Sequence, residues 1–178
     1  LAEAAEALIT ARAEAVEELA PPFAAAATEL GLAGGGAIEY APRAAGSAAE
    51  IRAGLSERRE TDLRLGRSSW GPHLDELKIS AAERSVRRYG SQGQQRAALL
   101  ALLFAEREAL LGAHRVAPLL LLDDVMSELD PERRVRLVTR LSRGGQALIT
   151  AAAEESVPPG ALDRVLRLPF DRAAAAAA

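Results

Sequence analysis

Apolar residues at the start of the chain recur at helical spacing. From Leu1 to Phe23 they return between charged positions roughly every three or four residues, which predicts a helix. Pro21 and Pro22 are expected to end or sharply kink this helix, because proline lacks the backbone N–H that a helix interior uses. A second short helix is then expected to run to Leu30.

The next 30 residues contain signals for a loop, a strand and a further helix. The glycine-rich run 31–36 breaks the helical pattern, and residues 37–40 can begin a strand. Ser47 and Glu50 stand three residues apart in a capping-box pattern, which predicts a helix over about 48–60. The start of the chain is therefore expected to be mainly helical.

Short strand-like segments and longer helices alternate in the remainder. The strands are expected at residues 65–69, 74–79, 85–89, 116–122, 146–150 and 165–168. One helix should begin after Ser91, and another should open with Asp130 and Pro131 as N-cap and N1 residues and end near Leu141. The apolar run 116–122 is typical of a strand buried on both faces. Strands that alternate with helices predict an α/β fold with a parallel sheet.

Composition and charge exclude several kinds of protein. The 178 residues include no cysteine, which removes disulfides and thiolate chemistry and is compatible with a cytoplasmic location. No apolar stretch approaches the roughly 20 residues that cross a bilayer, so no membrane role is expected. Because the formal net charge is −3, contact with nucleic acid needs a local basic patch. Arg84, Arg87 and Arg88 could form such a patch or could simply face solvent.

Two acids follow the apolar run directly. Asp123 and Asp124 come after Leu119–Leu122, and acids at the carboxyl end of a buried strand lie where open α/β sheets bind ligands. In nucleotide hydrolases this is the Walker B arrangement, in which the first acid holds Mg²⁺ and the next can polarise the attacking water. The alternative is a strand whose two aspartates only begin a loop.

Two polar segments lie on either side of this strand in the sequence. Ser-Gln-Gly-Gln-Gln-Arg at 91–96 opens the long helix, and a serine cap, a glycine and free N–H groups at a helix N-terminus can form a phosphate site. Ser-Glu-Leu-Asp at 127–130 follows the acids and precedes the next helix. Each segment, taken alone, is also explained as an ordinary helix cap.

The order and spacing of these segments resemble the signature motif, Walker B and D-loop of ABC-type ATPases. The signature sequence at 91–96 and the Gly-Pro-His segment at 71–73 resemble those of the RecF family. In that family the Gly-Pro-His segment reads G-P-H-R-D-D. In this chain Leu74 replaces the family arginine and Glu76 replaces an aspartate. The resemblance covers residues 64–150 well and the helical start more loosely.

The resemblance implies an architecture and two cofactors. Residues 61–172 would form a lobe of an ABC ATPase head, and residues 1–60 would be part of a helical lid domain. Residues 173–178 are all alanine and would be a tail without a motif. The cofactors would be ATP and Mg²⁺, and ATP would drive formation of a homodimer.

The resemblance also implies roles for individual residues in that dimer. The signature residues would contact ATP held by the other subunit; they are Ser91, Gln92, Gly93 and Gln94. Asp123 would help to hold Mg²⁺, and Asp124 would align or deprotonate the attacking water. Ser127 and Asp130, in the D-loop, would lie in the dimer interface.

A strand-end residue and two histidines complete the set of candidates. In most ABC ATPases the strand after the D-loop ends in a histidine that senses the γ-phosphate. The equivalent strand here ends at Thr150, which is the expected substitute, although threonine is also simply a good strand former. His73 is expected to make a structural hydrogen bond, and His114 is expected to lie in a loop.

The family resemblance implies a role in DNA repair. RecF proteins act in recombinational repair, in repair of replication gaps and in the SOS response. They bind DNA where a single strand meets duplex and assist RecA loading with RecO and RecR. The phosphate loop G-x-x-x-x-G-K-[ST] is absent from this sequence, so the chain is expected to need an N-terminal Walker A lobe and to be inactive alone. A Rad50-like or SMC-like head fragment and a non-catalytic interaction module are the alternatives.

Overall fold

A computed structural model gives the fold of residues 1–153 and 156–158. Its helices are α1 (Ala2–Glu29), α2 (Ala48–Leu65), α3 (Val86–Tyr89), α4 (Gln92–His114) and α5 (Pro131–Leu141). Its strands are β1 (Ala37–Ala41), β2 (Glu76–Ala81), β3 (Arg84–Ser85), β4 (Leu120–Leu122) and β5 (Ala147–Ile149), and a 3-10 turn covers Pro72–Leu74. The strand expected at 165–168 and the alanine tail lie outside the described residues.

The expected break in the first helix does not occur. α1 continues through Pro21 and Pro22 to Glu29 as one helix. The prolines lack the N–H groups that would bond carbonyls one turn earlier, but packing holds the helix beyond them. Phe23 and Ala26, both fully buried, lie on that part of the helix. Burial of this face outweighs the local cost of the prolines, so the expectation of two helices is wrong.

An antiparallel sheet, which the sequence pattern did not indicate, precedes the parallel strands. β2 pairs with β1 on one side and β3 on the other, and Ile38 lies opposite Ile79. The strand expected at 65–69 is wrong, because α2 continues to that point and ends at Gly66 in the left-handed conformation (φ 64°). The strand expected at 85–89 is mostly the short helix α3.

Side-chain caps fix the starts of three helices. Ser47 and Ser91 begin α2 and α4 with complete capping boxes. Asp130 begins α5 by accepting the backbone N–H of Arg133 at 2.9 Å. These caps satisfy N–H groups that the first helical turn leaves without partners. The expected starts of all three helices are confirmed.

β4 and β5 form a parallel pair, as expected for an α/β fold. Leu120 and Leu122 of β4 are buried in the same cluster as residues of α4 and α5. Leu121, on the opposite face, is 65% exposed, and its partner Leu148 on β5 is 53% exposed. Residues 1–153 and 156–158 cover only one face of the pair, so burial of this strand on both faces stays a prediction.

Two hydrophobic clusters hold the described fold together. The larger one joins the C-terminal half of α1 to α4, α5 and both sheets, and includes the fully buried side chains of Phe23 and Phe104. The smaller one joins the start of α1 to α2 through Ala2, Ala5 and Ile51. α1 therefore belongs to both clusters. Neither α1 nor any other helix in the described ranges is long and apolar enough to span a membrane.

Candidate functional site

Two exposed carboxylates stand at the carboxyl edge of the parallel strands. Asp123 and Asp124 directly follow β4, where the chain turns away from the sheet. Asp124 has a positive φ of 44°, a conformation that aspartate adopts more readily than most residues. The turn therefore presents two consecutive acids at the edge where open α/β sheets bind ligands.

The hydroxyl of Thr150 connects these two acids. Thr150 follows β5, and its backbone N–H donates to the carbonyl of Leu122 at 3.0 Å, which continues the parallel ladder. Its Oγ1 accepts the backbone N–H of Asp124 at 2.9 Å and donates to Oδ1 of Asp123. The structure thus places the expected strand-end residue in direct contact with both acids.

Ser127 joins the same group from the other side. Its Oγ lies 2.9 Å from both the backbone carbonyl oxygen and Oδ2 of Asp124, and its single hydrogen is donated to one of them or shared between them. The loop that begins after β4 therefore folds back onto its own second acid. Asp123, Asp124, Ser127 and Thr150 form one connected cluster, which we call the acid cluster.

The start of α4 forms a second group. The backbone N–H of Ser91 donates to Oε1 of Gln94 at 2.8 Å, and the N–H of Gln94 donates to Oγ of Ser91 at 3.3 Å. Gln92 is the first residue of the helix and is exposed, and Gly93 follows it. Backbone N–H groups at such a helix start favour an anion.

Asp130 belongs with this second group. A Cβ placed on Gly93 would lie 3.2 Å from Nη1 of Arg133, and the same guanidinium pairs with Asp130. The hydrogen bond from the Arg133 backbone N–H is the main reason that the pKa of Asp130 lies below its ordinary value. Arg96 of α4 also pairs with Glu128 of the loop. Within residues 1–153 and 156–158, no hydrogen bond or ion pair links positions 91–94 to the acid cluster.

The oxygens of the acid cluster are suitable ligands for Mg²⁺. Oδ2 of Asp123 and Oδ1 of Asp124 accept no hydrogen bond from any described residue. The described part of the chain contains no group of three or more metal-binding side chains. Mg²⁺ commonly takes one or two protein carboxylates and completes its shell with phosphate oxygens and water. Asp123 and Asp124 thus offer two carboxylate oxygens of the kind that Mg²⁺ prefers.

Asp75 is an acid with an enclosed side chain, and the sequence did not indicate its partners. Its side chain is 3% exposed and follows the Gly-Pro-His segment. It accepts hydrogen bonds from Arg12 of α1 at 2.9 Å, from the Arg43 N–H at 2.8 Å and from the hydroxyl of Tyr40 on β1. Asp75 thus ties the first helix and the antiparallel sheet together.

Replacing Asp75 with asparagine should destabilise the chain in a pH-dependent way. Burial alone raises the pKa of Asp75, but the hydrogen bonds from Tyr40, Arg43 and Arg12 outweigh it and hold this pKa below its ordinary value. The carboxylate therefore contributes stability above its unfolded pKa of about 3.9 and loses it as pH falls through the lower folded pKa. Urea unfolding should show a deficit of about 2 kcal/mol for Asp75→Asn at pH 7.

The difference in the free energy of unfolding between wild type and Asp75→Asn should shrink when unfolding is repeated near pH 3. Comparing variant with wild type removes the contribution of the other carboxylates, which titrate in both. Glu39→Gln, on an exposed strand position, is the control and should change stability little at either pH. An equal deficit for Asp75→Asn at pH 7 and pH 3 would contradict the assigned role of the charge.

The remaining candidates have local contacts. His73 is exposed, and its Nε2 lies 3.1 Å from the carbonyl oxygen of Ser68, which is the structural hydrogen bond expected of it. His114 is the last residue of α4 and does not lie in a loop. Arg84 stacks on Tyr89 with 5.0 Å between its guanidinium carbon and the ring centre. Arg87 and Arg88 are exposed on α3, and Arg87 pairs with Glu76 at 3.7 Å.

The parallel strand pair, the acids after β4 and the capped helix before it define the C-terminal lobe of an ABC-type ATPase head. A solved structure from work on ATP-driven dimerization and DNA-stimulated activation of SMC ATPases has the same fold. Its TM-score is 0.54 at 15% identity, over 92% of this chain and 84% of that chain. At this identity the likeness concerns the fold alone.

Sequence comparison gives the family. The chain is 40% identical over 172 residues to the DNA replication and repair protein RecF of Anaeromyxobacter sp. (strain K), covering 90% of this chain. It is 45% identical over 114 residues to RecF of Myxococcus xanthus (strain DK1622), covering 64% of this chain. A solved structure of the recombination mediator protein RecF with ATP, in the RecFOR pathway, matches with a TM-score of 0.71 and 28% identity over 87% of this chain. The chain belongs to the RecF family.

The match covers only part of each relative. The chain spans 46% of the Anaeromyxobacter protein, 30% of the Myxococcus protein and 43% of the solved RecF chain. The chain therefore spans about half the length of the Anaeromyxobacter relative, although the match covers most of the chain itself. No protein-family model matches the sequence.

Proposed function

We propose that this chain supplies the Walker B acids, signature and D-loop of a RecF-type ATPase that acts in DNA replication and repair. The acid cluster carries the proposal, because it brings Asp123, Asp124, Ser127 and Thr150 together at the ligand-binding edge of a parallel sheet. ATP is the substrate consistent with the RecF–ATP structure that the chain resembles.

Each acid has a distinct role in this proposal. Asp123 would help to hold Mg²⁺, and Asp124 would align or deprotonate the attacking water. Bound Mg²⁺ neutralises charge on the phosphate groups. The protein's contribution is to fix the two carboxylates in place, which the Thr150 and Ser127 hydroxyls do.

The signature and D-loop act across a homodimer in this proposal. Their residues contact ATP held by the other subunit or line the interface between subunits; they are Ser91, Gln92, Gly93, Gln94, Ser127 and Asp130. The capped start of α4 supports contact with ATP, because the N–H groups at a helix start favour a phosphate. The lobe is proposed to comprise residues 61–172 and the helical lid residues 1–60; α2 runs across this boundary, and the C-terminal half of α1 packs against the lobe.

The missing Walker A lobe packs, we infer, on the open face of the parallel strands. Leu119, Leu121 and Leu148 are all more than half exposed there, and two of them are cross-strand neighbours. Parallel strands normally have both faces covered. A lobe packed on this face would bury these leucines, and its phosphate loop would then lie near the edge that carries the acid cluster.

The test mixes this chain with a separately purified Walker A lobe of a RecF protein. The two should form a complex that hydrolyses ATP, and this chain alone should not. Leu121→Glu should weaken complex formation at least about tenfold, because it places a charge in an apolar contact. Leu99→Glu, at a similarly exposed position on α4, is the matched control and should leave complex formation unchanged. A folded complex without hydrolysis would favour the non-catalytic interaction module.

The DNA role belongs to the whole assembly. We propose that it binds DNA where a single strand meets duplex and assists RecA loading with RecO and RecR. The names of its RecF relatives, in replication, repair and the RecFOR pathway, support this part of the proposal. Gapped DNA should stimulate ATP hydrolysis by the assembly more than duplex DNA of equal length. Equal stimulation by both would count against recognition of the junction.

A further inference from the structure

Thr150 follows β5, where the family resemblance predicts a γ-phosphate sensor, yet its hydroxyl contacts protein groups on both sides. Oγ1 donates its only hydrogen to Asp123 and accepts the backbone N–H of Asp124. Resting on the function proposed above, we propose that Thr150 is a positioning residue that holds the two Walker B acids, and that it does not sense the nucleotide.

The donor capacity of the hydroxyl decides between the two roles. A threonine hydroxyl carries one hydrogen, and a group that senses a phosphate must donate a hydrogen bond to it. Here that hydrogen is directed to Oδ1 of Asp123. A hydrogen bond to a carboxylate is about twice as strong as one between neutral groups, so this contact is not readily exchanged.

The backbone around Thr150 fixes the hydroxyl in this place. Its N–H donates to the Leu122 carbonyl at 3.0 Å, one residue beyond the Leu122–Ile149 pair of the parallel ladder. Thr150 is therefore held next to the first acid by strand pairing. Its branched Cβ restricts the rotation that would otherwise turn the hydroxyl away.

The same contact also holds the turn at Asp124. This residue has a φ of 44°, and its N–H points to Oγ1 of Thr150 at 2.9 Å. Ser127 binds its carbonyl oxygen and Oδ2. With these groups bound, Oδ1 of Asp124 and Oδ2 of Asp123 are the carboxylate oxygens that no described residue contacts. Thr150 thus determines which oxygens the site presents.

Amide hydrogen exchange of this chain tests the contact without any catalysis. Thr150→Val removes the hydroxyl and keeps the shape, so exchange of the Asp124 amide should become about tenfold faster through loss of its acceptor. Thr150→Ser should keep it slow. Thr139→Val makes the same change at an exposed hydroxyl on α5, 2.8 Å from the Val135 carbonyl, and should leave Asp124 unaffected. Unchanged exchange in Thr150→Val would overturn the proposal.

Hydrolysis by the assembled ATPase tests the role. Thr150→Val should lower kcat about tenfold or more with little change in ATP affinity, and Thr150→Ser should restore most of it. Because Thr150 acts through the two acids, adding Thr150→Val to Asp123→Asn should cost clearly less than the product of the two single losses. A sensor predicts the opposite: independent losses that multiply, and restored activity in Thr150→His.

The two proposals fail in distinguishable ways. If the wild-type assembly shows no hydrolysis, the ATPase proposal is wrong, and amide exchange still decides whether Thr150 holds Asp124. If hydrolysis is present but Thr150→His is as active as wild type, the ATPase proposal stands and the positioning role is wrong.

Discussion

Asp124→Asn should lower ATP hydrolysis by the assembled ATPase by about 100-fold or more, because it removes the carboxylate proposed to align or deprotonate the attacking water. Asparagine keeps the size of the side chain and can still accept the hydrogen bond from Ser127. ATP binding and ATP-dependent dimerisation should therefore remain. Single-turnover hydrolysis and nucleotide binding, measured on the same preparation, separate the two effects.

The neighbouring acid provides a contrast to this variant. Asp123→Asn should raise the Mg²⁺ concentration needed for half-maximal hydrolysis, since this carboxylate is the proposed metal ligand. Glu39→Gln, on β1, is an exposed acid outside the acid cluster and should behave as wild type. Full activity in Asp124→Asn would contradict the catalytic role of Asp124. If Asp123→Asn needs the same Mg²⁺ concentration as wild type and Glu39→Gln, the metal-binding role of Asp123 is wrong.

Phe104→Ala should destabilise the isolated chain by about 3 to 5 kcal/mol, a large part of the stability of an ordinary domain. The ring is 1% exposed in the larger cluster. It also lies under the guanidinium of Arg140, with 5.3 Å between the guanidinium carbon and the ring centre. Truncation leaves a cavity that the surrounding helices cannot fully close. Urea unfolding followed by circular dichroism measures the loss.

Leu99→Ala is the matched control for this variant. Leu99 lies on the same helix but is 54% exposed, so its truncation removes little buried surface. We expect a change within about 0.5 kcal/mol, as is usual for surface positions. Similar losses in both variants would mean that α4 presents a different face to the core.

Features that depend on neighbouring residues could be predicted from the sequence. The cap at Ser91 uses Gln94, three residues away, and the cap at Asp130 uses Arg133. The candidate acids Asp123 and Asp124 could be recognised because they come directly after an apolar run. Their position at a sheet edge could be expected because strand ends in parallel sheets share one edge.

Features that depend on distant partners could not be predicted. Asp75 bonds Arg12 and Tyr40, which lie 63 and 35 residues earlier. The extension of α1 through its prolines depends on the core that Phe23 enters, which no local pattern shows. A run of leucines also looks the same whether one or both faces of its strand are covered, so the exposure of Leu121 was not foreseeable.

The contact between Gly93 and Arg133 affects how mutant alleles of the signature should be interpreted. A Cβ at position 93 would lie 3.2 Å from Nη1 of Arg133, so the guanidinium that pairs with Asp130 would have to shift by a few tenths of an ångström. Loss of ATP hydrolysis in such a variant would therefore not by itself show that the partner subunit's nucleotide is no longer recognised. Heterodimers with one altered subunit would separate the causes: damage within the altered subunit affects its own site, whereas failed recognition affects the site of its partner.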